Sequence, residues 1–155
     1  MTTAAYRDGI IAADTQLTHD EHIRGVCHKI VELSSDIVYV AACDTRDEEI
    51  FKEMLLSTTG EFHKFKKDFE AIVFKQGQMY TSYGNSILVP LSQSYIAIGS
   101  GWELAMAGMM RGDSAEDAVK FAATMDIYTS EPVDTYDTKI KKGQTTNPRR
   151  KGRVV

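Results

Sequence analysis

Residues 36–42, DIVYVAA, are apolar almost throughout from Ile37 to Ala42. A strand with one wet face alternates apolar and polar residues, and one without that alternation is covered on both faces. This short run therefore demands structure above and below it, so the segments that can cover it decide the fold. TTAAYRDGIIAAD, at the start of the chain, suggests two strands joined by a tight turn at Asp8-Gly9. HKIVEL and DIVYVAA give a second strand pair across Ser34-Ser35-Asp36, after a polar loop containing His19 and His22.

Helix follows these four strands. Thr45 with Glu48 forms a capping box, and Ile50, Phe51, Met54 and Leu55 fall on one helical face. Gly60 breaks that run, and Phe62, Phe65 and Phe69 recur at helical spacing, which predicts a short second helix within residues 60–69. EAIVFK, QMYTSYG and SYIAIGS read as strands. GWELAMAGMMRG and SAEDAVKFAATM read as helices, the latter starting near Ser114 with Asp117 in capping position. DIYTSEP and VDTYDTK close the body as strands. Strands, helices, strands, helices, strands: the order fits an α+β protein in which two sheets are sandwiched between helical layers, αββα.

The chain of 155 residues suits one domain with a real core. No apolar run approaches the ~20 residues that cross a bilayer, and the start lacks the basic-then-apolar pattern of a secretory signal. Two cysteines, Cys27 and Cys43, do not indicate a disulfide framework, so the expected location is a reducing cytoplasm. Charge divides the chain. Residues 139–155 carry +7 with no acid and residues 1–138 carry −11, which gives the overall −4. The expected organisation is thus one domain over 1–138 and a basic tail over 139–155. No aromatic residue interleaves the tail's bases, which argues against a nucleic-acid stacking platform.

Two threonines, Thr2 and Thr3, stand directly behind Met1 at the mouth of the first hairpin. Loss of Met1 would make Thr2 N-terminal, and its hydroxyl could then attack a carbonyl while its own α-amine takes the proton. That amine suits the role, because its ordinary pKa of ~7.7–8.0 lies near working pH. The nucleophile needs a neighbouring cation. Lys29, read on the strand HKIVEL, is the best candidate, and Asp14 at the end of the second strand can partner it. Ser100 lies between two glycines where a strand becomes a helix, either as an N-cap or as part of the site.

TTAAYRDGIIAADTQ, HKIVEL, IAIGSGWELAMAG and DIYTSEPVDTYDT together resemble the proteasome-type peptidases, closest to the bacterial HslV type, over nearly all of residues 2–138. The resemblance implies the four-layer N-terminal nucleophile hydrolase fold. It implies Thr2 as nucleophile, Lys29 braced by Asp14, and Ser100 holding the terminal amine and its water. It places the oxyanion-hole amide near Ala41. Ala123, Asp126 and Thr129 fall on a turn whose carbonyls bind a monovalent cation in some relatives, and no cofactor is required. The implied reaction is hydrolysis of a polypeptide through an acyl-enzyme, in a homo-oligomeric ring with inward-facing sites. An ATPase unfoldase is an implied partner; the short second helix leaves that dependence open.

AACDTRDEE replaces the family's glycine-rich stretch, and Ala13 stands where a glycine precedes the acid. Two other readings use the same fold: a catalytically silent scaffold or regulator, and an amidase acting on a small molecule. Outside the resemblance, His19, His22, Cys27 and His28 have a spacing that could suit zinc, against a plain polar loop. Cys43 could act as a nucleophile, against a core role, and Met106, Met109 and Met110 read as core or oligomer contacts.

Overall fold

The computed structural model describes residues 1–19 and 22–140; of the basic tail only Lys139 and Ile140 fall among them. A four-stranded antiparallel sheet is formed by β1 (Thr3–Arg7), β2 (Ile10–Ala13), β10 (Tyr95–Gly99) and β11 (Asp134–Asp137), in the order β10-β1-β2-β11. A second antiparallel sheet runs β5-β6-β7-β8-β9, from β5 (Val31–Ser34), β6 (Ile37–Ala42), β7 (Glu70–Lys75), β8 (Gln78–Tyr83) and β9 (Val89–Pro90). The helices are α1 (Thr45–Leu56), α2 (Trp102–Met110) and α3 (Ala115–Ala123).

The alternation of β6 explains its apolar sequence. Val38, Val40 and Ala42 point between the sheets, where they meet Ala4, Ile11, Ile72 and Ile98. Tyr39 and Ala41 point the other way, onto Phe51 and Leu55 of α1. Both faces are dry, as an unbroken apolar run requires. On the far side Ala5, Ala12 and Ala97 face Ala105, Ala118 and Ala122 of α2 and α3, small residues that bring helix and sheet close. The result is the four-layer αββα sandwich. Met109 belongs to that outer core and Met106 packs against it, whereas Met110 is exposed.

Several local expectations are corrected. Residues 57–69 contain no helix. The Phe65 N–H bonds the Gly84 carbonyl and the Gly84 N–H bonds Phe69, so this backbone is fastened to the end of β8. Phe65 and Phe69 stack at 4.3 Å, while Phe62 is exposed. The cap of α1 is Asp44, not Thr45: its carboxylate accepts the Asp47 N–H at 2.8 Å, and Glu48 instead accepts the Tyr39 hydroxyl at 3.1 Å. Ser114 does cap α3.

The histidine-bearing loop is a separate two-stranded hairpin, β3 (Gln16–His19) with β4 (His22–Val26), exposed along all of β4. Lys29 lies before β5 rather than on a strand, in a strap that leaves the β3–β4 hairpin and joins the second sheet. DIYTSEP is a turn region, and only residues from Asp134 onward form the last strand.

Candidate active site

The first sheet brings the two ends of the sequence reading together. Thr3, opening β1, pairs with Gly99 of β10, and its N–H donates to Asp14 Oδ1 at 2.9 Å while its carbonyl accepts the Asp14 N–H at 3.0 Å. Asp14 is fully buried and also accepts the Gln16 N–H at 3.1 Å. A buried carboxylate held by two backbone donors still needs a countercharge. Lys29 supplies it, with Nζ 2.9 Å from Asp14 Oδ1 and its side chain only 10% exposed.

Three fastenings hold the strap that carries Lys29 to the first sheet. The Cys27 N–H bonds the Thr15 carbonyl at 2.7 Å, His28 Nδ1 lies 2.5 Å from Asp134 Oδ2, and Lys29 meets Asp14. Asp134 sits opposite Ala13, the neighbour of Asp14, so consecutive strap residues meet acids anchored at adjoining positions of the sheet.

The remaining protons of the Lys29 ammonium face the start of the chain, and Nζ donates to the Met1 carbonyl at 2.7 Å. On the other side of Thr2, the Ser100 N–H donates to the Thr2 carbonyl at 2.9 Å. Thr2 is therefore held between positions 29 and 100. Gly99 makes this close approach feasible: its φ is +90°, and a Cβ there would lie 1.7 Å from the Thr2 oxygen, so only glycine fits. Thr2 borders an open cleft of about 520 Å³ shared with Ala42, Cys43, Ser100 and Trp102.

Behind the cleft lies a chain of hydroxyls. Thr3 Oγ1 is 2.6 Å from Thr129 Oγ1, 3.3 Å from Ser100 Oγ, and accepts the Gly101 N–H at 2.8 Å. Asp126 Oδ2 accepts the Ser100 hydroxyl at 2.7 Å and the Thr129 hydroxyl. Burial opposes the charge on Asp126, but the hydroxyls of Thr129 and Ser100 and the Tyr128 N–H outweigh it and hold the carboxyl below its ordinary range. Burial, reinforced by the Lys29 charge, lowers the Met1 α-amine against the opposing pull of Asp14 and Asp126. Both causes favour the neutral form of the Met1 amine, the form that accepts a proton.

The structure thus brings Thr2, Asp14, Lys29 and Ser100 together. Ser100 is not the cap of α2; Gly101 occupies that position. Ala41 stands on β6 one residue from the cleft, with its methyl among the α1-facing residues, and Ala42 borders the cleft. Ala123 is the last residue of α3 rather than part of a turn. Asp126 and Thr129 do lie on the following turn, where the Asp126 carbonyl accepts the Thr129 N–H at 3.1 Å and both side chains join the hydroxyl network.

Sequence reasoning gave no role to Thr3, Glu70 or the His28–Asp134 contact; Glu70 reaches across from β7 to accept the Gly99 N–H at 2.7 Å. The repeated threonine and the Asp-x-x-Thr at 126–129 were the available signs. His19 and His22 pair at the hairpin tip while His28 turns to Asp134, and no cluster of three or more His, Cys, Asp or Glu poised for a metal occurs among the described residues. Burial and the Glu48 charge push the Cys43 thiol far up, which leaves it a poor nucleophile.

An αββα sandwich with its first strand buried in one sheet, and with Thr2 just ahead of that strand bordering a cleft between the sheets, has the proteasome-like N-terminal nucleophile hydrolase fold. Solved structures agree. HslV from the eukaryote Trypanosoma brucei superposes with a TM-score of 0.68 at 19% identity, over 88% of this chain and 98% of that one. BPH from Thiobacillus denitrificans does so with TM-scores of 0.66 in complex with epoxomicin and 0.64 in a second structure, at 14% identity over 87% of this chain and 96% and 95% of theirs. No family model and no curated protein matches the sequence.

Proposed function

We propose that the chain is a threonine peptidase whose nucleophile is Thr2, exposed by removal of Met1. The observation that carries the reading is Lys29: a nearly buried ammonium, braced by buried Asp14, directed at the carbonyl that joins Met1 to Thr2. Once Thr2 is N-terminal, its amine occupies the corner where the ammonium disfavours a second positive charge, so it can accept the hydroxyl proton. Thr2 Oγ1 then attacks the substrate carbonyl, an ester to the enzyme forms with loss of the amine product, and water cleaves the ester. Ser100 and Asp126 steady the terminus and its water. The oxyanion is assigned to a backbone N–H on β6, near Ala41.

The reading extends to a homo-oligomeric ring in the cytoplasm acting on polypeptides without a cofactor. Thr2 borders an open cleft, and enclosure of such sites within a ring would protect the host from an unregulated peptidase.

Intact-mass measurement on protein from its native host, followed by labelling with a peptide epoxyketone, tests the proposal. The expected result is a chain beginning at Thr2 that takes one label, with labelling lost in Thr2→Ala. Release of small amides without label would favour the amidase. The Met1–Lys29 contact favours one second reading: in a chain that retains Met1, Lys29 is engaged by its carbonyl and Thr2 has no free amine. Stoichiometric retention of Met1 in the host would establish that silent scaffold and refute the peptidase.

A further inference from the structure

We infer that the cleft beside Thr2 receives a cationic side chain, so that the substrates are polypeptides with lysine or arginine next to the bond cut; this rests on the peptidase reading. The cleft, about 520 Å³, is of the size that holds a ligand side chain. Its walls differ in chemistry. Ala42, Cys43 and the half-exposed indole of Trp102 are apolar lining and Asp44, Asp68 and Glu70 are acidic lining, with no basic side chain among the lining residues.

The three carboxylates are not equivalent. Asp44 is occupied by the cap of α1 and by Lys66. Glu70 uses Oε2 to hold the Gly99 N–H at 2.7 Å, which leaves its second oxygen uncommitted while its charge persists. Asp68 is exposed, and among the described residues its carboxylate makes no hydrogen bond or ion pair; Lys66, which is paired with Asp44, feels its charge. Lys29 is paired with Asp14, so it does not neutralise them.

A lysine or arginine side chain matches this pattern along its length. Its methylene stem lies against Ala42 and Trp102, the cation can stand over the indole, and its head meets Glu70 and Asp68. An acidic side chain would meet like charges. A large apolar one would cover Glu70 without replacing its water.

The test uses protein whose N-terminus is shown by mass to be Thr2, and peptides that differ only at the residues flanking the scissile bond. Arginine or lysine on one side should raise kcat/KM over leucine about tenfold, and more over glutamate, with the preference narrowing as salt increases. Asp68→Asn, an exposed change that leaves the core untouched, should cut the arginine-to-leucine ratio about threefold, and Asp68→Lys should cut it further. A parallel arm measures anisotropy of labelled arginine and leucine peptides on Thr2→Ala protein, which needs no turnover. Cleavage with no preference, or with leucine or glutamate preferred, overturns the cleft assignment and leaves the peptidase standing. Arginine-selective binding that Asp68→Asn weakens, with no cleavage of any peptide, upholds the cleft and overturns the peptidase. Absence of both overturns both.

Discussion

Replacing Lys29 with methionine removes one charge from the Lys29–Asp14 pair and keeps most of the side-chain volume. The partner left behind is a fully buried carboxylate, and the lysine side chain is only 10% exposed, so water cannot enter freely to replace it. Removing one member of a buried pair costs about 3–5 kcal/mol. Asp14 keeps the Thr3 and Gln16 N–H donors at 2.9 and 3.1 Å, which places the expected loss near the lower end, about 3 kcal/mol. That is a large part of the ~5–15 kcal/mol that holds an ordinary domain. Asp14→Asn in the same protein should restore about 1–2 kcal/mol, because a neutral amide oxygen still accepts from Thr3 and no bare charge remains. Urea unfolding at one fixed protomer concentration measures all four members of the cycle. A loss below about 1 kcal/mol for Lys29→Met, or a double variant whose loss merely adds, would refute a dry, mutually dependent pair and with it the basis for a perturbed amine at Thr2.

Thr2→Ala should abolish epoxyketone labelling and peptide hydrolysis while changing stability by no more than about 0.5 kcal/mol, because among the described residues Thr2 is held through its carbonyl, which alanine retains. Residual hydrolysis in a preparation free of contaminating peptidases would exclude the hydroxyl as nucleophile. Gly99→Ala should do more damage than any other single methyl addition in the site: the new Cβ falls 1.7 Å from the Thr2 oxygen at φ +90°, and both thermal stability and labelling should drop together. Full labelling in a stable Gly99→Ala protein would show that the Thr2 carbonyl does not lie against residue 99. Asp126 has its carboxyl held low by the hydroxyls around it, so its ionised form stabilises the native state above the ordinary aspartate value of ~3.9, and that contribution fades as pH falls through the lower native value. The melting-temperature gap between the protein and Asp126→Asn should therefore shrink below about pH 4, and a gap flat with pH would contradict it.

Local periodicity carried most of the architecture. Helix and strand runs that bury a whole face announced themselves, and the double burial of β6 followed from Ile37–Ala42 alone. It failed where local patterns are degenerate. CDTRDEE contains two overlapping capping patterns, Asp44 with Asp47 and Thr45 with Glu48, and spacing cannot choose between them; Tyr39, from another layer, takes Glu48. Phe65 and Phe69 have the separation of a helical face, yet their backbone partners are at Gly84, beyond any local window. The hairpin β3–β4 is exposed along β4, so no alternation marks it as a strand. Ser100 was legible because it sits between glycines at a change of local structure, and Lys29 as the cation near the first hairpin, although HKIVEL reads as a strand. The partners Asp134 for His28 and Thr129 for Thr3, by contrast, lie more than a hundred residues away.

The paired threonines show how the long-range part is encoded. Successive residues of a strand face opposite sides, so Thr3 shares the helix-facing side with Ala5, and Thr2 continues the side of Ala4, between the sheets. That alternation sends the Thr3 hydroxyl to Gly101, Thr129 and Ser100, and leaves Thr2 on the cleft beside Ala42. A slip of one residue against β10 would exchange the two threonines and drive Ala4 and Ala5 into the wrong cores. The alanines on one side and Gly99 on the other therefore fix which threonine faces the cleft and which is tied into the hydroxyl network behind it.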